Sequence, residues 1–190
     1  MKIILASKSP RRKEILKLFI DDFEIIKTQV DETFNYDYDI ITNSMSISRK
    51  KAASLELDSN SIVISADTIV LCNNKVLGKA RSSELAFKEL KELSGRTHQV
   101  LTSFSIKSKT KTVVDYEITN VTFKNLTDED LWSYINTGEW EDKAGSYAIQ
   151  GKGSALIKSI KGDYFNVVGL PISKIKDYLK NYFNLDLLRS

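Results

Sequence analysis

Residues 3–16 read IILASKSPRRKEIL, an apolar run that passes straight into a helical pattern. Ile3, Ile4, Leu5 and Ala6 suit a short buried strand. Ser9 then takes an N-cap position and Pro10 the first helical position, where a missing N–H costs nothing. Ile15, Leu16, Leu18 and Phe19 continue at helical spacing. The charge is anomalous. A helix start carries the positive end of the macrodipole and favours Asp or Glu, yet Arg11, Arg12 and Lys13 stand there. Backbone N–H groups, two hydroxyls and two guanidinium forks form a cradle that an anion such as phosphate would complete.

Outward from this unit, strands and helices alternate. FEIIKTQV reads as a strand, followed by the acidic pair Asp31-Glu32. SMSISRKKAASLEL reads as a helix started by Asn43 or Ser44. SIVISADTIVLCNNKVLGK reads as a hairpin turning at Asn73-Asn74. SSELAFKELKELSG is a helix capped by Ser82 or Ser83, with Leu85, Ala86, Leu90 and Leu93 as its face and Gly95 at its end. QVLTSFSIKS and KTVVDYEITNVTF are strands joined around Lys109. LTDEDLWSYINTG is a helix with Thr127 as cap and Asp130 three residues on. SALIKSIKGDYFNVVGL suggests a second hairpin at Lys161-Gly162, and Pro171 opens a last helix carrying Ile172, Ile175, Leu179, Tyr182 and Phe183. This is a mixed α/β chain of 190 residues, without repeats or low-complexity linkers, and a single domain is the economical reading.

Composition excludes several classes. Charged residues make up 28% and apolar residues 42%, as in ordinary globular proteins, and no apolar run approaches a membrane span. The opening apolar run stops at Ser-Lys-Ser-Pro-Arg-Arg, short of a signal peptide's core, and the expected compartment is the cytoplasm. Cys72 is the sole cysteine, which rules out an intrachain disulfide. A net charge of +3 is too mild for a binder of nucleic-acid polymers, a reading that would predict oligonucleotide affinity falling steeply with salt.

No Walker A pattern occurs, and the G-x-G at Gly151 and Gly153 meets Leu156 where a dinucleotide fingerprint needs its third glycine. Asp67 interrupts an apolar run, where burying a carboxylate is costly unless it is paired, hydrogen-bonded or bound to metal. It is either a general base or metal ligand at a strand end, or a turn aspartate bonding neighbouring N–H groups. Lys51 and Lys79 can meet phosphate oxygens or stand solvated at the surface. Asp31-Glu32 can help hold a hard cation or merely open a loop. His98, the only histidine, is read as a structural hydrogen-bonder, and no nucleophile elbow supports a triad of Ser7 or Ser9 with His98 and Asp67. Asp142 and Lys143 can position phosphates or a metal. Gln150 carries both a donor and an acceptor, the pair needed to read a base edge.

Taken in order, LASKSPRRKEIL, VDE, SADTIVL, GK, GRTHQVLT, WEDKAGSYAIQG and GDYFNVVGLPI resemble the Maf family of nucleoside triphosphate pyrophosphatases, from Leu5 to Ile172. The resemblance implies one Maf-like domain over residues 1–190. Its expected fold is α/β: an elongated mixed β-sheet flanked by helices, with two lobes, a central cleft and the look of inosine triphosphate pyrophosphatases. It implies hydrolysis of a nucleoside triphosphate to the monophosphate and pyrophosphate with a divalent cation, Mg²⁺ or Mn²⁺. By position, Asp67 matches the proton acceptor, and Arg11, Thr68 and Gln150 match residues of substrate choice. Ser7, Arg12, Glu32, Lys51, Lys79 and Asp142 match other polar residues of the family's cleft. Glu32 and Asp67 are the expected metal ligands. AIQG looks like the branch acting on dTTP and UTP; 7-methyl-GTP or CTP is the alternative substrate, and a nucleotide-binding regulator of septum formation and division arrest the alternative role. The family also suggests a homodimer. Ala80 departs from the proline common after Gly-Lys, loosening the backbone there. The expected chemistry is attack of water on the α-phosphorus, with Asp67 as base and Arg12, Lys51 and Lys79 on the leaving pyrophosphate. Gln150 would read the O4/N3 edge of thymine or uracil.

Overall fold

A computed structural model describes residues 1–189. In chain order the elements are β1 (Lys2–Ala6), α1 (Pro10–Lys17), β2 (Glu24–Ile26), α2 (Ile40–Ala53), β3 (Ser61–Cys72), β4 (Lys75–Leu77) and α3 (Ser83–Leu93). They continue with β5 (Thr97–Lys107), β6 (Thr112–Phe123), α4 (Asp128–Ile135), a 3-10 helix (Gly151–Leu156), β7 (Ile157–Lys161), α5 (Tyr164–Val168) and α6 (Ile172–Phe183). The strands form one mixed sheet in the order β2-β1-β3-β5-β6-β7, with β4 paired to β3. β1 runs parallel to β2 and β3, whereas β4 on β3 and β7 on β6 are antiparallel.

The described residues group into two compact units. The first comprises Met1–Asp67, Thr102–Glu117 and the chain from Gly169 onward; the second comprises Thr68–Leu101 and Ile118–Val168. In the first unit, Ile4, Ala6, Val63 and Ala52 form a buried cluster between β1, β3 and α2. Helix α2 turns Ser44, Ser48 and Ala52, four residues apart and all fully buried, inward. These small side chains let the helix backbone approach closely. Ser65 on β3 donates to the Ser48 carbonyl at 2.7 Å, and Ser103 on β5 donates to that of Ser44 at 2.7 Å. Lys107 closes the other end, its Nζ donating to the Leu55 carbonyl at 2.8 Å. In the second unit, Leu90, Leu93, Phe123, Leu131, Tyr134 and Tyr147 build the larger core.

Several expectations are met. Pro10 starts α1, the β3–β4 hairpin turns on Asn73 and Asn74, both at positive φ as a type I′ turn requires, and Thr127 and Asp130 form a complete capping box. Ser82, not Ser83, caps α3. Others are corrected. Helix α2 begins at Ile40, capped by Asp39 through the Thr42 N–H, because Asn43 is buried and spends its amide on the 35–39 loop. FEIIKTQV contributes only Glu24–Ile26 as strand. No second hairpin turns at Lys161-Gly162: β7 returns onto β6, and α5 follows at Tyr164. Leu18, Leu85 and Tyr182 are exposed, so the apolar faces of their helices are narrower than the periodicity suggests.

Candidate functional site

In the first unit, β1 ends at Ala6, and Ser7 follows it, buried. Its Oγ accepts the Ser9 N–H at 3.2 Å and Nη1 of Arg12 at 3.3 Å. Arg12 also donates Nε to the Gly169 carbonyl at 2.7 Å, so the guanidinium is braced from two segments. Ser9 holds the N-cap position but makes no side-chain cap, and the first turn of α1 contains no acid. Burial pulls the Arg12 pKa below the usual arginine value, Asp67 and Glu32 push it back up, and neighbouring Arg11 lowers it. Arg12 is therefore held in the field of two carboxylates and one like charge.

Asp67 lies inside β3, not at its end. β3 pairs with β1 up to Ser65 and with β4 from Val70, which leaves Asp67 in the stretch between those two ladders. The turn-aspartate alternative is thereby excluded. Lys51, from the last turn of α2, donates Nζ to Asp67 Oδ1 at 2.9 Å and pairs with Glu32 Oε1 at 3.0 Å. Side-chain exposure is 11% for Lys51 and 12% for Asp67, against 58% for Glu32. One ammonium thus bridges a buried and an exposed carboxylate, the arrangement in which burial of each charge is compensated. The serine-lined face of α2 explains how a lysine reaches so deep: the helix sits close enough to β3 for its stem to cross.

Among the described residues, no three His, Cys, Asp or Glu side chains group as a ready-made metal cage. Glu32 and Asp67 both lie against the Lys51 ammonium, which stands between them. Carboxylate oxygens are the donor type that Mg²⁺ accepts, alongside phosphate and water oxygens.

In the second unit, Thr68 follows Asp67 on β3 and is half-buried. Lys79 is exposed, but its backbone is pinned to Ala144 by an antiparallel bridge, and the Gly145 N–H donates to the Gly78 carbonyl at 2.9 Å. That bridge anchors the chain at the position where Ala80 replaces the family's proline, and Ala80 itself packs on the core. It also sets Lys79 beside the segment that carries Asp142, which is exposed at φ 57°. Gln150 is half-buried, immediately ahead of the 3-10 helix, and its amide does not cap that helix. His98 is buried and its Nε2 lies 2.8 Å from the Tyr147 hydroxyl, while Nδ1 has no partner. Burial lowers the His98 pKa to about 4 and raises that of Tyr147. His98 is a structural hydrogen-bonder, as its sequence context suggests.

The sequence model described as Maf-like protein matches residues 2–182. The chain belongs to the Maf family. Among its relatives, a dTTP/UTP pyrophosphatase of Thermoanaerobacter sp. (strain X514) is 50% identical over 192 residues, covering 99% of this chain and 100% of that protein. A dTTP/UTP pyrophosphatase of Clostridioides difficile (strain 630) is 46% identical over 190 residues, covering 98% of each. The solved structure of the Staphylococcus aureus Ham1 protein aligns with a TM-score of 0.50 at 16% identity, covering 100% of this chain and 93% of that one. This is a likeness of fold.

The sequence reading of this Maf-family chain gave Asn43 a capping role it does not have and missed Glu139 altogether. Asn43 holds the loop that follows Glu32: its Oδ1 accepts the Asn35 N–H at 2.7 Å, and its Nδ2 donates to the carbonyls of Asn35, Tyr38 and Asp39 at 2.9, 3.0 and 3.0 Å. Glu139 accepts the N–H groups of Lys152 and Gly153, just beyond Gln150, at 3.0 and 3.2 Å. A buried-side asparagine within a helical pattern was the only available signal for the first, and for the second there was none.

Proposed function

We propose that this chain hydrolyses dTTP and UTP to the nucleoside monophosphate and pyrophosphate. The observation that carries the reading is the cluster of Lys51 with Asp67 and Glu32, placed in the field of Arg12. It supplies a carboxylate base beside fixed cations, which is what attack of water on an α-phosphorus demands. Near 50% identity over the full length of relatives that bear the name dTTP/UTP pyrophosphatase supports the choice of nucleotide.

In this reading Asp67 accepts the proton of the attacking water. Arg12 and Lys51 offset charge on the departing pyrophosphate, with Ser7 keeping Arg12 in place and Arg11 serving substrate choice. Glu32 and Asp67 would hold a divalent cation. When bound, it adds positive charge on the phosphate oxygens. Within the second unit, Lys79 contacts the phosphate part of the nucleotide, Asp142 helps position it or a metal, and Thr68 and Gln150 meet its remainder, Gln150 bonding the O4/N3 edge of the pyrimidine. Residues 1–190 act as one domain, since β3, β5 and β6 each contribute residues to both units. The enzyme works on free nucleotides in the cytoplasm, as a homodimer. Among the described residues no helix is long and apolar enough to cross a membrane.

The test is release of pyrophosphate, with orthophosphate counted separately, from dTTP, UTP, CTP, GTP, ATP and 7-methyl-GTP, with and without Mg²⁺ or Mn²⁺. Metal-dependent pyrophosphate from dTTP and UTP is the expected result. Activity confined to 7-methyl-GTP would keep the reaction and overturn the choice of base. Failure to turn over any nucleotide would remove the enzyme reading altogether.

A further inference from the structure

The segment on either side of Gln150 is fixed through its backbone. On the N-terminal side, the Ala148 N–H donates to the Tyr134 hydroxyl at 3.1 Å. On the C-terminal side, Glu139 accepts from two consecutive residues and lies against the one before them. Its Oε1 accepts the Lys152 N–H and its Oε2 the Gly153 N–H. Gly151, at φ +74°, passes so close that a Cβ there would stand 2.8 Å from Oε1. Gly153 lies against the chain just before Gln150, where an added Cβ would meet the Ala148 carbonyl oxygen at 2.1 Å. Ser154 Oγ closes the turn by donating to the Gly151 carbonyl at 2.6 Å. The 3-10 helix has no side-chain cap from Gln150, and its first N–H groups point instead at a carboxylate from a distant stretch of sequence.

We propose that Glu139 is a positioning residue for base selection: its carboxylate clamps the backbone of residues 151–153, and so sets the direction in which Gln150 presents its amide. This rests on the reading of Gln150 as the residue that meets the pyrimidine edge. The physical argument is one of freedom removed. With Ala148 tied on one side and Gly151 to Gly153 on the other, the Gln150 backbone has little latitude, and its amide is left unspent on capping. A loop that reads a hydrogen-bonding edge needs such fixing, because an amide free to rotate or shift offers donor and acceptor equally to the right and the wrong base. A carboxylate is the suited clamp, having acceptors only and none of the donors that would face an N–H.

UTP and CTP provide the probe, since they differ only at the edge that Gln150 is read as meeting. Pyrophosphate release is measured for both with the wild type, Glu139→Gln, Glu139→Asp and Gln150→Ala. Glu139→Gln keeps the shape but turns one acceptor into a donor, leaving one N–H of the turn unpaired. The expected result is a UTP:CTP ratio of kcat/KM about tenfold lower, the effect of one hydrogen bond misplaced, with the loss lying in the KM for UTP. Faster amide exchange is expected at Lys152 and Gly153. Glu139→Asp retains two acceptor oxygens on a shorter stem, gives a smaller fall, and provides a folded variant should the amide not be tolerated. If Gln150→Ala lowers the ratio while both Glu139 variants keep it, the inference is overturned and the role of Gln150 stands. Equal losses for UTP and CTP overturn it as well, since the clamp would then serve the fold and not the choice of base. A ratio untouched by Gln150→Ala, or no preference in the wild type, overturns the reading of Gln150 and the inference with it.

Discussion

The Lys51 cluster and the Gln150 segment solve the same problem, holding a reactive polar side chain still, by opposite means. Around Asp67 the holding is done by charge: an ammonium between two carboxylates, with a guanidinium close by. Around Gln150 it is done by backbone, with N–H groups caught by Tyr134 and Glu139 and glycines admitting the close approach. The two means suit the chemistry expected of each. Phosphate binding and proton transfer require strong fields, and the charges that make them are expensive to bury unless they compensate one another. Recognition of a neutral base edge requires direction, and a rigid backbone provides it at little electrostatic cost.

The largest effect expected concerns the charge cluster. Asp67→Asn should lower turnover roughly a thousandfold while nucleotide binding persists, as measured by steady-state kinetics and by isothermal titration with dTTP. Retained turnover would show that the cluster holds charge without doing chemistry. Next, Lys51→Met leaves the buried Asp67 without its ammonium and should destabilise the protein by about 4 kcal/mol in denaturant unfolding. Glu32→Gln, which removes the exposed partner of the same lysine, should cost below about 1 kcal/mol. Equal losses would mean that burial is not what separates the two carboxylates.

A third prediction compares the other region. His98 is buried as a neutral ring against Tyr147, with its pKa lowered to about 4. In the unfolded chain it titrates near the usual value of about 6.5, so the unfolded state binds the extra proton first as the pH falls. The stability present above pH 6.5 should drop by about 3 kcal/mol on the way down through pH 4. A His98→Gln variant should lose that part of the slope, read from thermal unfolding between pH 7 and 4. An identical slope would place the titration elsewhere. A smaller loss of activity than that of Asp67→Asn is expected for Arg12→Ala, about a hundredfold in kcat/KM at limiting nucleotide. Full hydrolysis would leave the cations of α1 without a role in phosphate chemistry.

Much of the fold was legible. The strand–helix passage at residues 3–16, the Asn73-Asn74 hairpin and the Thr127 capping box each depend on neighbours in sequence, and each is found in the structure. The misses have one cause. Asn43 looks like a helix cap because its chemistry allows it, but tertiary burial assigns its amide to the 35–39 loop and leaves capping to Asp39. Residues 154–170 look like a hairpin, yet β7 takes its partner from β6, some forty residues earlier. Asp67 reads as a strand end since carboxylates rarely sit within a strand, and only the folded chain shows it inside β3 with the Lys51 ammonium 2.9 Å from its Oδ1.

Sequence alone singled out the residue types proposed to carry the chemistry. Misplaced charges announce themselves: arginines on a helix start and an aspartate in an apolar run are costly anywhere, and so are noticed without coordinates. Tertiary structure alone decided how they are held. That Lys51 spans Asp67 and Glu32, and that Glu139 grips the turn after Gln150, follows from contacts between residues 13 to 19 apart in sequence, whose partners no local pattern marks. Propensity and periodicity act over a few residues, whereas ion pairing and backbone capture act through space, and only the folded chain brings those partners within reach.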